Sequence, residues 1–421
     1  MSKDEQRMLT PRLRFPEFRK RKAWVQKQAG ELFTNRIEHG EDGLPIYSVT
    51  MDDGMVKRSS LDRKFDDIAE SGGNKKVHKN DIAYNMMRMW QGAFGVAVED
   101  CMVSPAYVVL TPQEGVSSDF FGRLLKTPCL LRSLTSQSHG LTKDRLRLYY
   151  KDFAQIALPL PSLAEQQKIA DCLTSLDAVM AAQGRKVEAL KAHKNGLMQE
   201  LFPREGETIP RLRFPEFHNA PEWADRELGT MTTKVGSGIT PLGGDKNYKV
   251  TGRPFIRSQN VGWGELLLDD VAFIDEETHS SFDATEIVES DVLLNITGAS
   301  IGRSAITDAR IVGGNVNQHV CIIRVKRDEL NPVLLNQFLI SERGQKQIGS
   351  FQAGGNRQGL NFAQIRAFTI PVPPTDKEQK RIADGLSTLD ARIAAEKEKL
   401  AALKTHKQGL MQQLFPSPEV V

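Results

Sequence analysis

Apolar residues follow a seven-residue period along two long segments, one from Ile169 to Leu201 and one from Ile382 to Leu414. The apolar positions of this seam are Ile169, Leu173, Leu176, Met180, Val187, Leu190, Leu197, Leu201, Ile382, Leu386, Leu389, Ile393, Leu400, Leu403, Leu410 and Leu414. A period of 3.5 residues held over several heptads is typical of coiled-coil helices. The pattern predicts two helices packed on each other; the alternative is that each stripe packs on its own globular domain.

Both predicted helices begin with the same signal. Ser162 and Glu165, like Thr375 and Glu378, have capping-box spacing directly after a proline. Each segment also reaches a proline shortly after its last seam leucine. These signals mark both ends of each helix.

Polar residues and glycines interrupt the two helices at equivalent places. Lys194 and Lys407 fall on the seam, where a polar side chain can fix the register at a cost in stability. Gly196 and Gly409 follow them, although glycine costs about 1 kcal/mol relative to alanine inside a helix. Close approach of the two backbones would explain these glycines, and chance is the competing explanation.

Shorter, β-rich segments punctuated by glycine precede each long helix. They are GAFGVAV (92–98), AYVVL (106–110), DVLLNIT (291–297) and HVCIIRV (319–325). Helix candidates lie at 118–127 and 332–348. Each half of the chain is therefore predicted to be a mixed α+β domain followed by a long helix.

The two halves repeat each other. PRLRFPEF occurs at 11–18 and again at 210–217, and the tetrapeptide FAQI at 153–156 recurs at 362–365. Before FAQI, the second half has GGNRQGLN, whereas the first has SHGLTKDRLRLYYKD, which keeps Gly140 and Leu141 and adds a basic stretch. The chain is a tandem duplication whose middles have diverged.

Composition limits the class of protein. The 421 residues allow two or three domains, and no apolar run approaches the roughly 20 residues of a membrane span. The N-terminus lacks the apolar core of a secretory signal, so a cytoplasmic protein without a membrane partner is expected. The formal net charge of +3 neither requires nor excludes nucleic acid. The four cysteines have no C-x-x-C spacing, which favours buried thiols over a zinc site or disulfides.

Common catalytic motifs are missing from the sequence. It contains no G-x-x-x-x-G-K-[ST] loop, no G-x-S-x-G elbow and no H-E-x-x-H. GASIGRS (298–304) shares only its glycines with a phosphate loop and is interpreted as a turn. We find no credible active site and no metal-binding motif in the sequence.

Planar polar side chains cluster beside glycines instead. Arginine reads guanine, and asparagine or glutamine reads adenine, through paired hydrogen bonds in the major groove. The candidate DNA-binding residues are Asn85, Arg88, Trp90, Gln91, Lys143, Arg145, Arg257, Ser258, Gln259, Asn260, Thr297, Ser300, Arg303, Asn317, Gln318, Asn356, Arg357 and Gln358. The alternative is that these residues form solvated turns, where Asn, Gly and Ser are common.

The linked set of motifs resembles the specificity (S) subunit of type I restriction-modification systems over nearly the full chain. The resemblance rests on TGASIGRSAI (297–306), on GGNRQGLNFAQIRAFTIPVPP (354–374), and on LPLPSLAEQQKIADCLTSLD (158–177) with its second-half counterpart. It implies a non-catalytic reader of double-stranded DNA. Two target recognition domains in tandem pseudo-repeat would each read one half of a split, asymmetric sequence. They would be separated by two long helices forming an antiparallel coiled coil.

The same resemblance implies partners that carry the chemistry. Two methyltransferase subunits would use S-adenosylmethionine, and restriction/translocase subunits would use ATP and Mg, so no cofactor is expected in this chain. A helix of the predicted length is about 50 Å long. It is therefore long enough to hold two DNA-reading domains one DNA turn, roughly 34 Å, apart.

The resulting division of the chain has seven parts. They are an N-terminal arm (1–23), target recognition domain 1 (24–160), spacer helix 1 (161–203), a linker with the repeated octapeptide (204–222), target recognition domain 2 (223–373), spacer helix 2 (374–416) and a tail (417–421). Two alternatives to the DNA-reading function remain. One is a coiled-coil adaptor that binds no DNA, and the other is a standalone, inactive paralogue.

Overall fold

The chain forms two compact units, each discontinuous in sequence. The computed structural model describes residues 9–61, 71–142, 145–241, 243–352 and 359–416. Unit 1 comprises Met1–Gln183 and Lys399–Val421, and unit 2 comprises Gly184–Glu398. Each of the two long helices begins in one unit and ends in the other, so each unit contains part of both helices.

Unit 1 is a mixed α+β fold. Its strands are β1 (Val25–Gln28), β2 (Phe33–Asn35), β3 (Tyr47–Val49), β4 (Met55–Lys57), β5 (Lys75–Val77), β6 (Ile82–Asn85), β7 (Phe94–Val96), β8 (Cys101–Val103), β9 (Tyr107–Pro112) and β10 (Ala157–Leu160). Its helices are α1 (Ala29–Leu32), α2 (Ser118–Leu124), α3 (Pro128–Ser136), α4 (Tyr150–Phe153) and the first part of α5 (Leu163–Leu201).

Unit 2 repeats this plan. Its strands are β11 (Ala224–Glu227), β12 (Thr232–Ser237), β13 (Arg253–Ile256), β14 (Ala272–Ile274), β15 (Val292–Asn295), β16 (Ser304–Ile306), β17 (Asn315–Val316), β18 (Val320–Val325) and β19 (Thr369–Val372). Its helices are α6 (Glu276–Ser281), α7 (Pro332–Ile340), α8 (Glu342–Gln352), α9 (Phe362–Arg366) and the first part of α10 (Asp376–Leu414).

A four-stranded antiparallel sheet forms the centre of each unit. The strand order is β2-β9-β6-β7 in unit 1 and β12-β18-β15-β16 in unit 2. The registers also correspond, because Ile82 pairs with Val96 in unit 1 and Val292 pairs with Ile306 in unit 2. The predicted strands near the middle of each half are therefore equivalent strands of one repeated sheet.

Smaller strand pairs complete the units. In unit 1, β3 pairs with β4 and β5 with β8; in unit 2, β13 lies between antiparallel β14 and parallel β17. The ends of each domain are joined by an antiparallel pair, β1 with β10 and β11 with β19. The helix predicted at 118–127 is α2, and α3 follows it outside the predicted range; the helix predicted at 332–348 is divided into two helices, α7 and α8.

The core of unit 1 is rich in aromatic side chains. Phe120 lies edge-on to Phe121 with ring centroids 5.1 Å apart, and Trp24 lies edge-on to Phe120 at 5.7 Å. Unit 2 instead buries mainly Leu, Ile and Val around Phe338 and Trp223. Burial of each large apolar side chain stabilises a fold by about 1.5–3 kcal/mol, so both units contain substantial cores.

The buried cysteines are inert parts of these cores. Burial raises the pKa of the Cys101 thiol and of the Cys321 thiol to about 12. Both thiols therefore stay protonated at neutral pH. Cys129 and Cys172 are half-buried, and all four cysteines are free.

The long helices pack in opposite directions within each unit. In unit 1, Ile169 and Leu173 near the start of α5 share a cluster with Leu414 at the end of α10. In unit 2, Ile382 near the start of α10 shares a cluster with Leu201 at the end of α5. All the predicted apolar seam positions are buried or half-buried. The antiparallel pairing is thus built into both units.

Polar seam residues form reciprocal ion pairs between the helices. The Lys194 ammonium lies 2.6 Å from the Asp390 carboxylate in unit 2, and the Lys407 ammonium lies 2.5 Å from the Asp177 carboxylate in unit 1. Each aspartate also accepts a hydrogen bond from its own unit, from Arg123 in unit 1 and from Gln337 in unit 2. These pairs specify one register of the helices.

The structure corrects the interpretation of the seam glycines. A Cβ atom at Gly196 or Gly409 would meet no atom within 4 Å beyond its own helical turn and chain neighbours. Close backbone approach therefore does not explain these glycines.

The repeated octapeptide joins the two long helices at each end. In unit 1, the Leu13 amide donates to the Gln413 carbonyl of α10 at 2.9 Å, while Arg14 reaches Glu165 of α5. In unit 2, the Leu212 amide donates to the Glu200 carbonyl of α5 at 2.9 Å. The octapeptide therefore holds the start of one helix against the end of the other in both units.

A buried arginine in the octapeptide is its main anchor. Arg14 donates through Nε and Nη2 to both Glu165 oxygens, each at 2.7 Å. Arg213 donates in the same way to Glu378 at 2.7 and 2.8 Å. The carboxylates of the two predicted capping boxes thus bind the octapeptide arginines. This bidentate geometry is among the strongest pairings available to a carboxylate.

The FAQI repeat is out of structural register, which corrects its interpretation as an equivalent segment. Equivalent backbone hydrogen bonds run from Ala29 N to Ile156 O and from Leu228 N to Phe368 O, both at 2.8 Å. These bonds make Ile156 equivalent to Phe368, which follows the second FAQI by three residues. The recurrence of these four letters therefore does not mark equivalent positions.

The apparent match at Gly140 and Leu141 is corrected in the same way. Leu141 is 96% exposed. The position of Leu360 in unit 2 is taken by Leu148 in unit 1, because Leu148 N donates to Met86 O and Leu360 N donates to Ile296 O, both at 2.9 Å. Both Leu148 and Leu360 are buried.

Candidate nucleic-acid interface

One loop recurs at the centre of both units, between β6 and β7 and between β15 and β16. Its sequence is NMMRMWQGAF from Asn85 in unit 1 and NITGASIGRS from Asn295 in unit 2. Asn85 N donates to Ala93 O at 3.2 Å, and Asn295 N donates to Arg303 O at 2.9 Å. Two motifs that look unrelated in sequence are therefore the same loop, which we call the central loop.

A left-handed glycine gives both central loops their shape. Gly92 has φ of +89° and Gly302 has φ of +86°, a conformation that side-chain-bearing residues rarely adopt. Each loop also contains one 3₁₀ turn, Met89–Gln91 in unit 1 and Gly298–Ser300 in unit 2. The framework of the loop is thus conserved while its side chains differ.

The central loop of unit 2 lines a cavity of about 410 Å³. Its walls are formed by Ser258, Gln259, Thr297, Gly298, Ala299, Ser300, Arg303 and His319. The fold therefore brings together five predicted DNA-binding residues from two distant segments of sequence. His319 was missed by the sequence analysis, although it directly follows the predicted Gln318.

Arg303 is the cation of this cavity. Its side chain is half-buried, and no hydrogen bond or ion pair joins its guanidinium to any of the described residues. Elsewhere in the same cavity, the Thr297 hydroxyl lies 2.5 Å from His319 Nδ1. A guanidinium with free donors beside hydroxyl groups is suited to a phosphate or to the acceptor edge of a guanine.

The Arg257 segment is held by the protein itself. The Arg257 guanidinium donates to the Asp270 carbonyl at 2.9 Å and to its carboxylate at 3.2 Å, and it lies 5.5 Å from the Tyr248 ring centroid. Gln259, which is exposed, donates to the same Asp270 carboxylate at 2.5 Å. Arg257 thus supports the loop, and Gln259 has to exchange a partner to reach DNA.

Two predicted asparagines hold the loops of unit 2. Asn260 is 1% exposed, and its amide donates to the Leu267 and Asp270 carbonyls at 2.9 Å. Asn317 is also buried, and its side-chain oxygen accepts from the His319 amide at 3.1 Å. Both side chains therefore hold these loops in place, and direct contact of either residue with DNA stays a prediction.

Gln318 differs from its buried neighbour. It is exposed, and its side-chain oxygen accepts from the Thr240 hydroxyl. Gln318 lies in the loop between β17 and β18. Contact of Gln318 with a base edge stays a prediction.

In unit 1, the predicted residues of the central loop divide into supporting and exposed groups. Asn85 accepts from the Met87 amide at 3.0 Å, and the Trp90 indole donates to the Met87 carbonyl at 3.1 Å. Arg88 and Gln91 are exposed. Arg88 is therefore the cation of the central loop in unit 1, although it stands at a different position from Arg303.

The remaining predicted residues lie in the segments that precede α4 and α9. Arg145 is exposed. Lys143, Asn356, Arg357 and Gln358 lie outside the described residues.

Within the described ranges, no group of three or more His, Cys, Asp or Glu side chains is placed to hold a metal ion. Across the same ranges, no helix combines the length and the apolar character needed to span a membrane.

Comparison with known proteins places these loops in a family. Residues 25–192 and 221–405 match the model of the type I restriction modification DNA specificity domain. The type I restriction enzyme MjaVIII specificity subunit of Methanocaldococcus jannaschii is 22% identical over 352 residues, which cover 80% of this chain and 79% of that protein. The EcoKI specificity subunit of Escherichia coli strain K12 is 25% identical over 203 residues, or 45% of this chain and 41% of that protein.

Solved structures share the fold. The S subunit of a type I restriction-modification system from M. genitalium has a TM-score of 0.60 at 16% identity, covering 97% of this chain and 99% of that chain. A chain from a study of complex assembly and conformational transition in the type I system has a TM-score of 0.58 at 16% identity, covering 94% and 98%. The family model matches most of the chain, once in each half of the duplication. The protein therefore belongs to the type I restriction-modification specificity family, and it is a DNA-recognition subunit.

Proposed function

We propose that this chain reads a bipartite, asymmetric DNA sequence, with each unit reading one half. The observation that carries the proposal is the central loop, which keeps its backbone hydrogen bonds in both units but has different side chains in each. A reader of two unlike half-sites needs one framework twice and two sets of contacts. A symmetric target would instead favour similar side chains in both loops.

In unit 2, Arg303, Ser300 and Thr297 are proposed to hold the DNA backbone, and Gln318 and Gln259 to read base edges. Backbone contacts fix the position of the protein on the duplex, whereas amide groups in the major groove distinguish bases. In unit 1, Arg88 and Gln91 are proposed to take the corresponding roles. Lys143, Arg145, Asn356, Arg357 and Gln358 stay predicted contacts of the segments before α4 and α9.

The partner proteins are proposed to supply the chemistry. The chain would act as a non-catalytic scaffold for two methyltransferase subunits and for restriction/translocase subunits in the cytoplasm. S-adenosylmethionine, ATP and Mg would then bind to those partners, with no cofactor in this chain. The family match, and the similarity to a chain from a study of complex assembly in the type I system, support this proposal.

The experiment that tests the reading function is co-expression with the methyltransferase partner in a host without DNA methylation. Mapping of modified adenines by long-read sequencing is expected to give a single split motif with two unlike halves. A folded, active partner that leaves no chain-dependent methylation would contradict the proposal and favour the adaptor or the inactive paralogue.

The role of Arg303 is tested by Arg303→Ala in the assembled complex, measured by DNA affinity as a function of salt. A phosphate contact releases counterions, so its loss is expected to weaken binding to all sequences and to lower the slope of log affinity against log salt by about 1. Loss of selectivity at one base pair would instead assign Arg303 to a base edge.

Arg310→Ala is the matched control, because Arg310 is an exposed arginine of the same unit that pairs with Asp308 at 2.6 Å, outside the cavity. It should leave both the slope and the motif unchanged. An equal effect of the two substitutions would show that only general charge is being measured.

A further inference from the structure

Trp263 differs from the other tryptophans of the chain in its exposure. It is 54% exposed, whereas Trp24 and Trp223 are each 3% exposed and Trp90 is half-buried. An indole ring at the surface gives up the stabilisation that burial would provide. Rigid, exposed aromatic side chains are typical of binding hot spots.

The backbone holds Trp263 at the tip of a tight hairpin, residues 261–266. Val261 and Leu266 form an antiparallel bridge, and the Gly262 amide donates to the Glu265 carbonyl at 2.9 Å. Gly264 has φ of +84°, which a tight turn requires directly after the tryptophan. The tip is thus a defined turn with Trp263 at its apex.

Two further contacts fix this hairpin to unit 2. The Gly264 amide donates to the Ser304 carbonyl at 2.8 Å, and Glu265 forms an ion pair with Lys397 of α10 at 3.0 Å. Because the backbone of the hairpin is already ordered, binding of a ligand to the indole costs the protein little conformational entropy.

The hairpin tip lies beside the central loop. Trp263 forms a parallel bridge with Ser304, which directly follows Arg303 of the cavity wall. The backbone that carries the exposed indole therefore lies directly against the end of the central loop. In duplex DNA, an exposed apolar side chain can contact a thymine methyl group or wedge between base steps.

Unit 1 has an equivalent hairpin with a different tip. IYSVTMDDG (46–54) and IRSQNVGWG (256–264) have the same spacing, and Gly54 with φ of +68° matches Gly264. A Cβ atom on Gly54 would lie 3.4 Å from the carbonyl of Phe94, the residue equivalent to Ser304. By spacing, Asp53 occupies the position of Trp263, but the two turns close differently: the Thr50 amide donates to the Gly54 carbonyl at 2.7 Å in unit 1, and the Gly262 amide donates to the Glu265 carbonyl at 2.9 Å in unit 2. The corresponding segments thus present an indole in unit 2 and a carboxylate in unit 1.

We propose that Trp263 packs directly on the bases of the half-site read by unit 2 and determines the preferred bases there. This inference rests on the proposed reading function. The indole can lie against a thymine methyl group or enter a base step as an apolar wedge, and both contacts depend on sequence. A carboxylate at this place cannot make either contact, so the tip contributes to the difference between the half-sites.

The test compares Trp263→Ala, Trp263→Phe and Val250→Ala in the complex with the methyltransferase partner. Val250 is the control, because it is an apolar residue of unit 2 that is 92% exposed outside the hairpin. Trp263→Ala is expected to weaken DNA binding about tenfold and to relax the methylated motif in one half only. Trp263→Phe should retain most of both properties, and Val250→Ala should change neither.

Unchanged affinity and an unchanged motif for Trp263→Ala would overturn the inference while leaving the reading function intact. Loss of assembly with the methyltransferase in the absence of DNA would also overturn it, because it would make Trp263 a protein contact. If the wild-type chain directed no split motif, the proposed function would fail first and this inference would fail with it.

Discussion

The octapeptide makes the same contacts in units 1 and 2, whereas the central loops of the two units carry different side chains. Each copy pairs its arginine with a buried glutamate and donates one amide to the end of the other long helix. The first phenylalanine of each octapeptide also lies beneath an equivalent cation. The Lys168 ammonium lies 5.6 Å from the centroid of the Phe15 ring, and the Arg381 guanidinium lies 4.4 Å from the centroid of the Phe214 ring. Positions that must satisfy several partners at once tolerate little change, while exposed loop side chains are free to diverge.

One contact at this junction is not the same in both units. The Trp223 indole donates to Glu378 at 3.2 Å, whereas the buried Trp24 indole nitrogen has no hydrogen-bond partner among the residues that the structure describes. Glu378 therefore receives three hydrogen bonds from side chains, those of Arg213 and Trp223, and Glu165 receives two from Arg14. The junction of unit 2 is accordingly expected to be the stronger one.

The largest expected effect comes from removing the octapeptide arginine. Arg213→Ala leaves the Glu378 carboxylate buried without its cation, which is expected to destabilise unit 2 by about 3–5 kcal/mol. Arg14→Ala should have a similar effect on unit 1. Denaturant unfolding followed by unit-specific hydrogen exchange measures both losses.

Arg211→Ala is the matched control for this prediction, because Arg211 belongs to the same octapeptide but is exposed. Its effect should stay within about 0.5 kcal/mol. Equal losses for Arg211→Ala and Arg213→Ala would show that the buried ion pair does not anchor the octapeptide.

A smaller effect is expected from the seam aspartates. Asp390→Asn removes the partner of Lys194, whose side chain is only 8% exposed, whereas Asp177→Asn removes the partner of Lys407, which is 25% exposed. Both aspartates are about one-third exposed, so screening limits each loss to about 1–2 kcal/mol. The loss should be larger in unit 2, and the reverse order would contradict the comparison of burial.

Asp177 also gives unit 1 a pH dependence. Burial raises the pKa of this carboxyl, but hydrogen bonds from Lys407 and Arg123 outweigh burial and hold the pKa below its ordinary value of 3.8. A depressed pKa stabilises the fold above the unfolded value, and the stabilisation is lost as the pH falls through the folded pKa. The stability difference between wild type and Asp177→Asn should therefore shrink below about pH 4; a difference independent of pH would contradict this assignment.

The smallest expected effect is a gain. Gly196→Ala and Gly409→Ala place a methyl group in open space on a helix, so each should stabilise its unit by about 0.5–1 kcal/mol. Gly344→Ala is the opposite control, because its Cβ atom would lie 2.1 Å from the Phe338 carbonyl. Thermal unfolding measures all three, and a loss at Gly196 or Gly409 would restore the idea that the glycines permit close backbone approach.

The parts of the molecule that repeat over long stretches are predictable from the sequence. Helices α5 and α10 each span 39 residues, inside the predicted ranges 161–203 and 374–416. The heptad period can be recognised because every seam position requires the same kind of residue, an apolar one. A polar residue at a single position does not hide the period. Sequence reasoning also identified the family, because the linked motifs occur twice.

Equivalent positions of the two halves are not predictable from the sequence where only a few residues are shared. The FAQI tetrapeptide suggested an equivalence that is three residues out of register, and the true equivalence of NMMRMWQGAF with NITGASIGRS has almost no shared letters. Backbone hydrogen bonds define these correspondences, and such bonds leave little trace in side-chain identity.

The sequence by itself determined the duplication, the two helices with their apolar seam and the family, because each depends on a periodic or repeated pattern of residue types; the antiparallel direction of the helices was implied by the family resemblance. Only the tertiary structure decided which candidate residues support the loops and which are exposed. Asn260 and Gln259 are neighbours of similar chemistry, yet one is buried against two carbonyl groups and the other is exposed beside the cavity. Burial and hydrogen-bond partners come from residues distant in sequence, so no local pattern could have separated them.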